Sequence, residues 1–156
     1  MKKCFSFLLT LLVLLAIPVS AFAADDVFTP AQKAYYKNLG LQGTTVNVYN
    51  WGEYISEGQE GAMNTVKEFE RLTGAKVNTN FESNENMYSK LSGGGVSYDV
   101  IIPSDYMIQR LLEEDMLLPL DYGNIPNYDK YIAPDCKGLY FDPQQKYTVC
   151  YNIGTT

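Results

Sequence analysis

The sequence predicts an α/β domain built on a parallel sheet. Three β-rich segments alternate with three amphipathic segments through short links, the order in which parallel strands are joined by helices. The third β-rich segment is a continuous apolar run, which is typical of a strand buried on both faces. The composition agrees, since 46% of the 156 residues are hydrophobic and 19% are charged, unlike the composition of disordered chains.

The residue types that the chain lacks exclude several classes of function. It has no His, and its formal net charge is −6. Without His there is no Ser-His-Asp or Cys-His catalysis and no His-based metal site. This agrees with our expectation of no enzyme activity, metal or cofactor. An acidic chain without basic runs is also unsuited to nucleic acid.

Residues 1–23 have the pattern of a cleavable export signal. Lys2 and Lys3 precede an apolar run over 5–19, and residues 21–23 read Ala-Phe-Ala, a small-x-small cleavage site. The apolar run is shorter than the roughly 20 residues of a membrane-spanning helix. Cys4 precedes the run, so it cannot be the acylated Cys of a lipoprotein. The sequence therefore predicts a periplasmic protein.

The elements of the domain follow in order. A lead-in over residues 24–43 carries a short helix, which Thr29, Pro30 and Gln32 begin as N-cap, first-turn Pro and capping-box partner. We predict strands at 45–49, 76–81 and 98–102. Between and after them we predict helices at 61–73, from Ser83 or Asn84 up to the glycines 93–95, and from the Ser104 cap through Ile108, Leu111, Leu112 and Met116.

The composition of the chain changes after Pro119. Residues 121–145 are rich in Pro, Tyr and Asp and predict loops and short turns, followed by a last strand at 147–151. This part holds Cys136 and Cys150. An oxidising compartment permits a disulfide between them, and two free, buried thiols are the alternative.

Two strand ends carry the candidate binding residues. Ligands of open parallel sheets bind beyond the carboxyl ends of the strands. The residues there are Trp51, Gly52, Glu53 and Tyr54 after the first strand, and Ser104, Asp105 and Tyr106 after the third. Aromatic faces beside carboxylates suit an organic cation. The alternative is that the carboxylates of Glu53 and Asp105 offset the positive end of a helix dipole and that the aromatic residues are packing residues.

Four stretches of the chain resemble a known family. Residues 48–55, 69–77, 82–91 and 98–106 are similar, in order and spacing, to the periplasmic spermidine/putrescine-binding proteins of polyamine ABC importers. The resemblance implies a periplasmic-binding-protein-like, type II, two-lobed fold, of which only most of the first lobe is present. It implies 44–149 as first lobe and 150–156 as the start of a crossover to a missing second lobe, so we expect a truncated sequence.

The resemblance also implies roles for the candidate residues. Trp51 and Tyr54 would line the methylene chain of a polyamine, and Glu53 would face an ammonium group. Ser104 and Tyr106 would add hydrogen bonds or ring contact, while Asp105 occupies a variable position. Gly52 departs from the hydroxyl or carboxylate that family members often have there. Residues 150–155 depart as well, because they lack the family's Pro and Trp.

The implied function is capture of spermidine or putrescine by a monomer and delivery to an ABC transporter permease. Two alternatives stay open. One is a two-lobed binder of another small solute, such as an amino-acid-like, thiamine-like or ferric ligand. The other is an exported fragment that binds nothing.

Overall fold

The computed structural model describes residues 27–154. Its centre is a parallel sheet of three strands: β1 (Thr45–Asn50), β2 (Lys76–Phe81) and β3 (Val100–Ile101). The order across the sheet is β2-β1-β3. Thr45 of β1 lies opposite Lys76 of β2, and Tyr49 lies opposite Ile101 of β3. The predicted parallel α/β architecture is confirmed. The predicted export signal lies outside the described residues.

Five α-helices accompany the sheet in the described part of the chain. They are α1 (Pro30–Lys37), α2 (Thr65–Thr73), α3 (Asn84–Ser92), α4 (Asp105–Glu113) and the short α5 (Tyr128–Tyr131). Single 3₁₀ turns lie at Gln59–Gly61, Tyr122–Asn124 and Pro134–Cys136. Within residues 27–154, no helix has the length and apolar character that crossing a bilayer requires.

Local capping signals place the helix ends. The hydroxyl of Thr29 accepts a hydrogen bond from the backbone N–H of Gln32 at 3.3 Å, and the Gln32 side chain accepts one from Thr29 N at 2.9 Å, which completes the predicted capping box of α1. Gly74 ends α2 with φ 74°, a conformation that favours glycine. Ser83 caps α3 by accepting from Asn86 N.

Two predicted helix bounds are wrong. Helix α2 begins at Thr65 rather than at residue 61, because the Asn64 side chain accepts from Lys67 N at 2.8 Å and so fixes the N-cap there. Met63, which lies within the predicted helix, is outside the observed one and is exposed. Helix α4 ends at Glu113, and Asp115 takes a positive φ of 53°, so Met116 lies beyond the helix.

The prediction that the third strand is buried on both faces is also wrong. Strand β3 pairs only with β1 among the described strands, and it is two residues long rather than five. The Val100 side chain is 47% exposed. The apolar composition of residues 98–102 correctly indicated a β-strand. At the edge of a sheet, however, part of such a strand is exposed to solvent.

Residues 147–151 do not form the predicted strand. Instead, this segment is held by the buried carboxylate of Asp142. The carboxylate accepts hydrogen bonds from the backbone N–H groups of Lys146, Tyr147 and Thr148 at 2.8–3.1 Å, and from the Thr148 hydroxyl at 3.0 Å. A carboxylate that accepts several backbone N–H bonds replaces the partners that a neighbouring strand would supply.

The core lies between the sheet and helices α3 and α4. Its fully buried members are Tyr49, Met87, Met107 and Leu111. The Tyr49 hydroxyl donates to the backbone carbonyl of Glu82 at 2.7 Å, so the one polar atom of this ring is satisfied. Burial, together with the nearby Glu85 and Glu82 carboxylates, raises the pKa of Tyr49 to about 12. The phenol therefore stays neutral in the core at any physiological pH.

Cys136 and Cys150 are free thiols in the structure and lie side by side. The Gln145 side chain holds their flanking segments together, since its Oε1 accepts from Gly138 N at 2.6 Å and its Nε2 donates to the Thr148 carbonyl. Burial, and then a hydrogen bond with Cys136, raises the pKa of the Cys150 thiol. A disulfide between the two residues stays a prediction.

We predict that a disulfide oxidant such as oxidised glutathione joins these two cysteines. Exchange transfers two electrons to the oxidant, which leaves as two glutathione thiols, and forms one Cys136–Cys150 bond. Closing a loop of roughly 15 residues stabilises a chain by about 3 kcal/mol. Unfolding by urea with and without reductant measures this difference. Cys136→Ser should show no response to reductant, and two free thiols at 136 and 150 after oxidant treatment would contradict the prediction.

Candidate functional site

The two candidate segments leave neighbouring strands at the same edge of the sheet. Strand β1 is central: the chain passes from β1 to β2 on one side of it, and then through α3 to β3 on the other side. The carboxyl ends of β1 and β3 therefore flank the point where the strand order reverses, which is where ligands of open α/β sheets bind. Trp51 and Ser104 each follow within three residues of these ends.

The first segment presents an aromatic pair and a carboxylate. The rings of Trp51 and Tyr54 lie 6.1 Å apart between centroids, tilted by 57°. Trp51 is fixed at its backbone, where its N–H donates to the Asn50 side chain at 2.8 Å. Glu53 is exposed. Residues Gly52 to Ser56, with Gln59 and Ala62, line an open cavity of about 460 Å³.

The structure bears on the alternative interpretation of Glu53 as a helix-start acid. No α-helix of the described chain begins near it, since the next one, α2, begins at Thr65. Among the described residues Glu53 also has no basic side chain in ion-pair contact. Glu53 therefore does not begin a helix, which the alternative interpretation requires, and its carboxylate is free to face a cation.

Asp105 does match the helix-start interpretation. It is the first residue of α4, and its Oδ1 accepts from the backbone N–H of Tyr106 at 2.8 Å. Its Oδ2 accepts from the Tyr140 hydroxyl at 3.0 Å. Ser104 occupies the N-cap position, but its hydroxyl makes no capping hydrogen bond. The Ser104 hydroxyl is thus available to a ligand, whereas both oxygens of Asp105 have protein donors.

Sequence reasoning missed two residues that adjoin this segment. The Tyr106 hydroxyl donates to Glu85 Oε1 at 2.8 Å and accepts from Asn84 Nδ2 at 2.8 Å. The Asn84 Oδ1 atom accepts from Ser104 N at 3.3 Å. Both residues follow the carboxyl end of β2, so the strand-end rule, applied to all three strands, could have pointed to them.

The carboxylates near the site differ in their partners. Glu82 forms an ion pair with Lys90, which offsets its charge. Glu85 has no such cation within the described residues, and the hydrogen bond from Tyr106 lowers the pKa of its carboxyl group. Glu85 is therefore ionised at neutral pH. No group of three or more acidic or Cys side chains in residues 27–154 is arranged to hold a metal ion.

The structure brings the candidate residues to one edge but not into one cavity. Ser104, Asp105 and Tyr106 do not line the cavity beside Tyr54. The Tyr54 backbone carbonyl accepts from the hydroxyl of Tyr151, near the end of the described chain. The candidate residues thus form an open surface of aromatic rings and carboxylates along this edge.

Comparisons with known proteins show which proteins this chain is similar to. A spermidine/putrescine-binding periplasmic protein of Haemophilus influenzae is 38% identical over 127 residues, which cover 80% of this chain and 33% of that protein. The corresponding protein of Escherichia coli K12 is 32% identical over 144 residues, 91% of this chain and 35% of that protein. The chain thus spans about a third of these relatives. No protein-family model matches it.

A solved structure shows the same similarity in three dimensions. The spermidine/putrescine ABC transporter substrate-binding protein of Streptococcus pneumoniae superposes with a TM-score of 0.60 and 38% identity. The match covers 68% of this chain and 31% of that one. The described domain therefore has the fold of part of a periplasmic-binding-protein-like molecule.

Proposed function

Since this chain is related to the spermidine/putrescine-binding periplasmic proteins, we propose that it captures polyamines outside the cytoplasm and delivers them to an ABC transporter permease. One observation carries the proposal. Two segments that combine aromatic rings with free polar or acidic groups emerge from neighbouring strands at the point where the strand order reverses. The proposed activity is ligand binding, in which the ligand is not chemically changed.

The chemistry of the first segment fits a polyamine. Such a ligand carries ammonium groups separated by apolar methylenes. The tilted rings of Trp51 and Tyr54 offer apolar faces to the methylenes and electron-rich faces to a cation, while the Glu53 carboxylate pairs with an ammonium. Gly52 lies between them, and no atom lies within 4 Å of the position that a side chain would occupy there, so the surface has room at this point.

The second segment supplies the other half of this lobe's surface. We propose that the Ser104 hydroxyl and the Tyr106 ring contact the ligand, and that Asp105 acts through Tyr140 rather than directly. Residues 44–149 then form the ligand-binding first lobe, 24–43 a lead-in that packs on its surface, and 150–156 the start of the crossover to a second lobe. We further propose a monomer that is exported by the signal at 1–23 and binds no nucleic acid.

A solute panel tests the proposal in the complete protein as encoded. Spermidine or putrescine at 100 times its dissociation constant adds about 2.7 kcal/mol to the free energy of unfolding, so the melting temperature should rise clearly. An amino acid, thiamine and a ferric chelate complete the panel. A shift by one of these, with none by a polyamine, would assign the site to another solute. No shift by any would favour the exported fragment that binds nothing.

A further inference from the structure

A buried amide connects the start of α3 with two residues of the second candidate segment. Asn84, the first residue of α3, is 1% exposed. Its Oδ1 accepts a hydrogen bond from the backbone N–H of Ser104 at 3.3 Å, and its Nδ2 donates to the Tyr106 hydroxyl at 2.8 Å. Both functional atoms of this side chain therefore point to the two residues proposed to contact the ligand from the second segment.

The Tyr106 ring depends on this connection. The residue is 51% exposed, so packing holds only part of the ring. Its hydroxyl is anchored at two points, because it also donates to the Glu85 carboxylate at 2.8 Å. The proton of the hydroxyl is thus directed to Glu85 and one lone pair to Asn84. A half-exposed ring fixed through its hydroxyl has one orientation before any ligand arrives.

We propose that Asn84, with Glu85, is a positioning residue of the ligand site, which holds the Tyr106 ring and the Ser104 backbone in the arrangement that the ligand meets. The inference deepens the proposed function and rests on it for the identity of the ligand. A surface fixed in advance saves the entropy of ordering these groups on binding, and this saving appears as affinity. Asn suits the task, since its amide both donates and accepts.

The diagnostic variant is Asn84→Asp. It keeps the shape of the side chain and an acceptor for Ser104 N, but it loses the donor to Tyr106 and leaves two carboxylates competing for one phenol proton. The variant also adds a negative charge, which by itself attracts a polyamine. A loss of affinity therefore cannot come from weaker attraction between the charge of the protein and the cationic ligand. We expect spermidine to bind about five- to tenfold more weakly, the effect of losing about one net hydrogen bond.

Two comparisons complete the binding experiment, done by calorimetry on the complete protein as encoded. Asn86→Asp adds the same charge at an exposed position of the same helix and should bind spermidine at least as well as the wild type. In a Tyr106→Phe background, Asn84→Asp should cost clearly less than it does alone, because the hydroxyl on which it acts is already gone. Additive effects, or unchanged affinity in Asn84→Asp, would overturn the inference.

A readout without ligand separates this inference from the proposed function. The carboxyl carbon of Glu85, followed by ¹³C NMR, reports the bond from Tyr106. In Tyr106→Phe and in Asn84→Ser its pKa should rise toward the ordinary value, because the hydroxyl is absent or no longer held. If no polyamine binds the wild type, the proposed function fails and this titration still decides the positioning role. An unmoved Glu85 titration in Asn84→Ser would overturn that role.

Discussion

Replacing Asp142 with alanine is expected to lower the free energy of unfolding by about 3 kcal/mol or more. The carboxylate is 4% exposed and accepts hydrogen bonds from three successive backbone N–H groups, at residues 146–148, and from the Thr148 hydroxyl. A buried donor without its acceptor costs about 1–3 kcal/mol, and here several donors lose one acceptor together. Urea unfolding followed by circular dichroism measures the difference.

A matched control separates this effect from the loss of any surface acid. Asp135 lies in the same part of the chain and is exposed. Asp135→Ala should leave the free energy of unfolding within about 0.5 kcal/mol of the wild type, as surface substitutions usually do. If Asp142→Ala were equally mild, the Asp142 carboxylate would not be what organises residues 146–148.

The same carboxylate gives a dependence on pH with a definite sign. Burial acts to raise the pKa of Asp142, but the hydrogen bonds from Lys146, Tyr147 and Thr148 outweigh it and hold the pKa below the ordinary 3.8. The folded state therefore binds this proton less tightly than the unfolded state does. Its contribution to stability is complete above the unfolded-state pKa and is lost as the pH falls through the folded-state value. The stability advantage of the wild type over Asp142→Asn should shrink below about pH 4.

The second large effect is on ligand binding. Trp51→Ala and Glu53→Gln should each weaken polyamine binding at least tenfold, which corresponds to about 1.4 kcal/mol. The first change removes the ring that we propose lies against the methylenes, and the second removes the carboxylate that we propose pairs with an ammonium. Titration calorimetry on the complete protein as encoded measures both.

Two further variants show whether these losses are specific. Trp51→Phe keeps an aromatic face and should lose less affinity than Trp51→Ala. Glu57→Gln removes an exposed acid that does not line the cavity beside Tyr54 and should bind as the wild type does. Unchanged affinity in both Trp51→Ala and Glu53→Gln would remove the first segment from the site.

Local signals in the sequence predicted local structure well. The strand at 76–81 and the helix cap at Ser83 were predictable, because β propensity and capping act within a few residues. The capping box of Thr29 and Gln32 is another such case. The start of α2 was harder to predict, since the sequence places it at residue 61 whereas the Asn64 cap sets it at Thr65. The start of this helix is therefore set by its N-cap and not by the spacing of its apolar residues.

Features that depend on distant partners were not predictable in the same way. The composition of 98–102 indicates a strand but not its place at an edge of the described sheet. Residues 147–151 have the composition of a strand, yet a carboxylate at 142 takes up their N–H groups. Likewise, the two candidate segments follow from the strand-end rule, whereas the bonds from Asn84 to Ser104 and Tyr106 span 20 and 22 residues and require the fold.

The short edge at β3 bears on how this molecule associates. A strand with one neighbour can accept another strand, from the same chain or from a second molecule, and long apolar edges aggregate for this reason. Here the edge is limited to Val100 and Ile101, and the acidic Asp99 stands beside them with its carboxylate accepting from Asn47 N at 2.7 Å. A short edge beside a negative charge presents few free backbone groups to a strand of another molecule. Pairing with a strand of another molecule is therefore discouraged at this edge of the sheet.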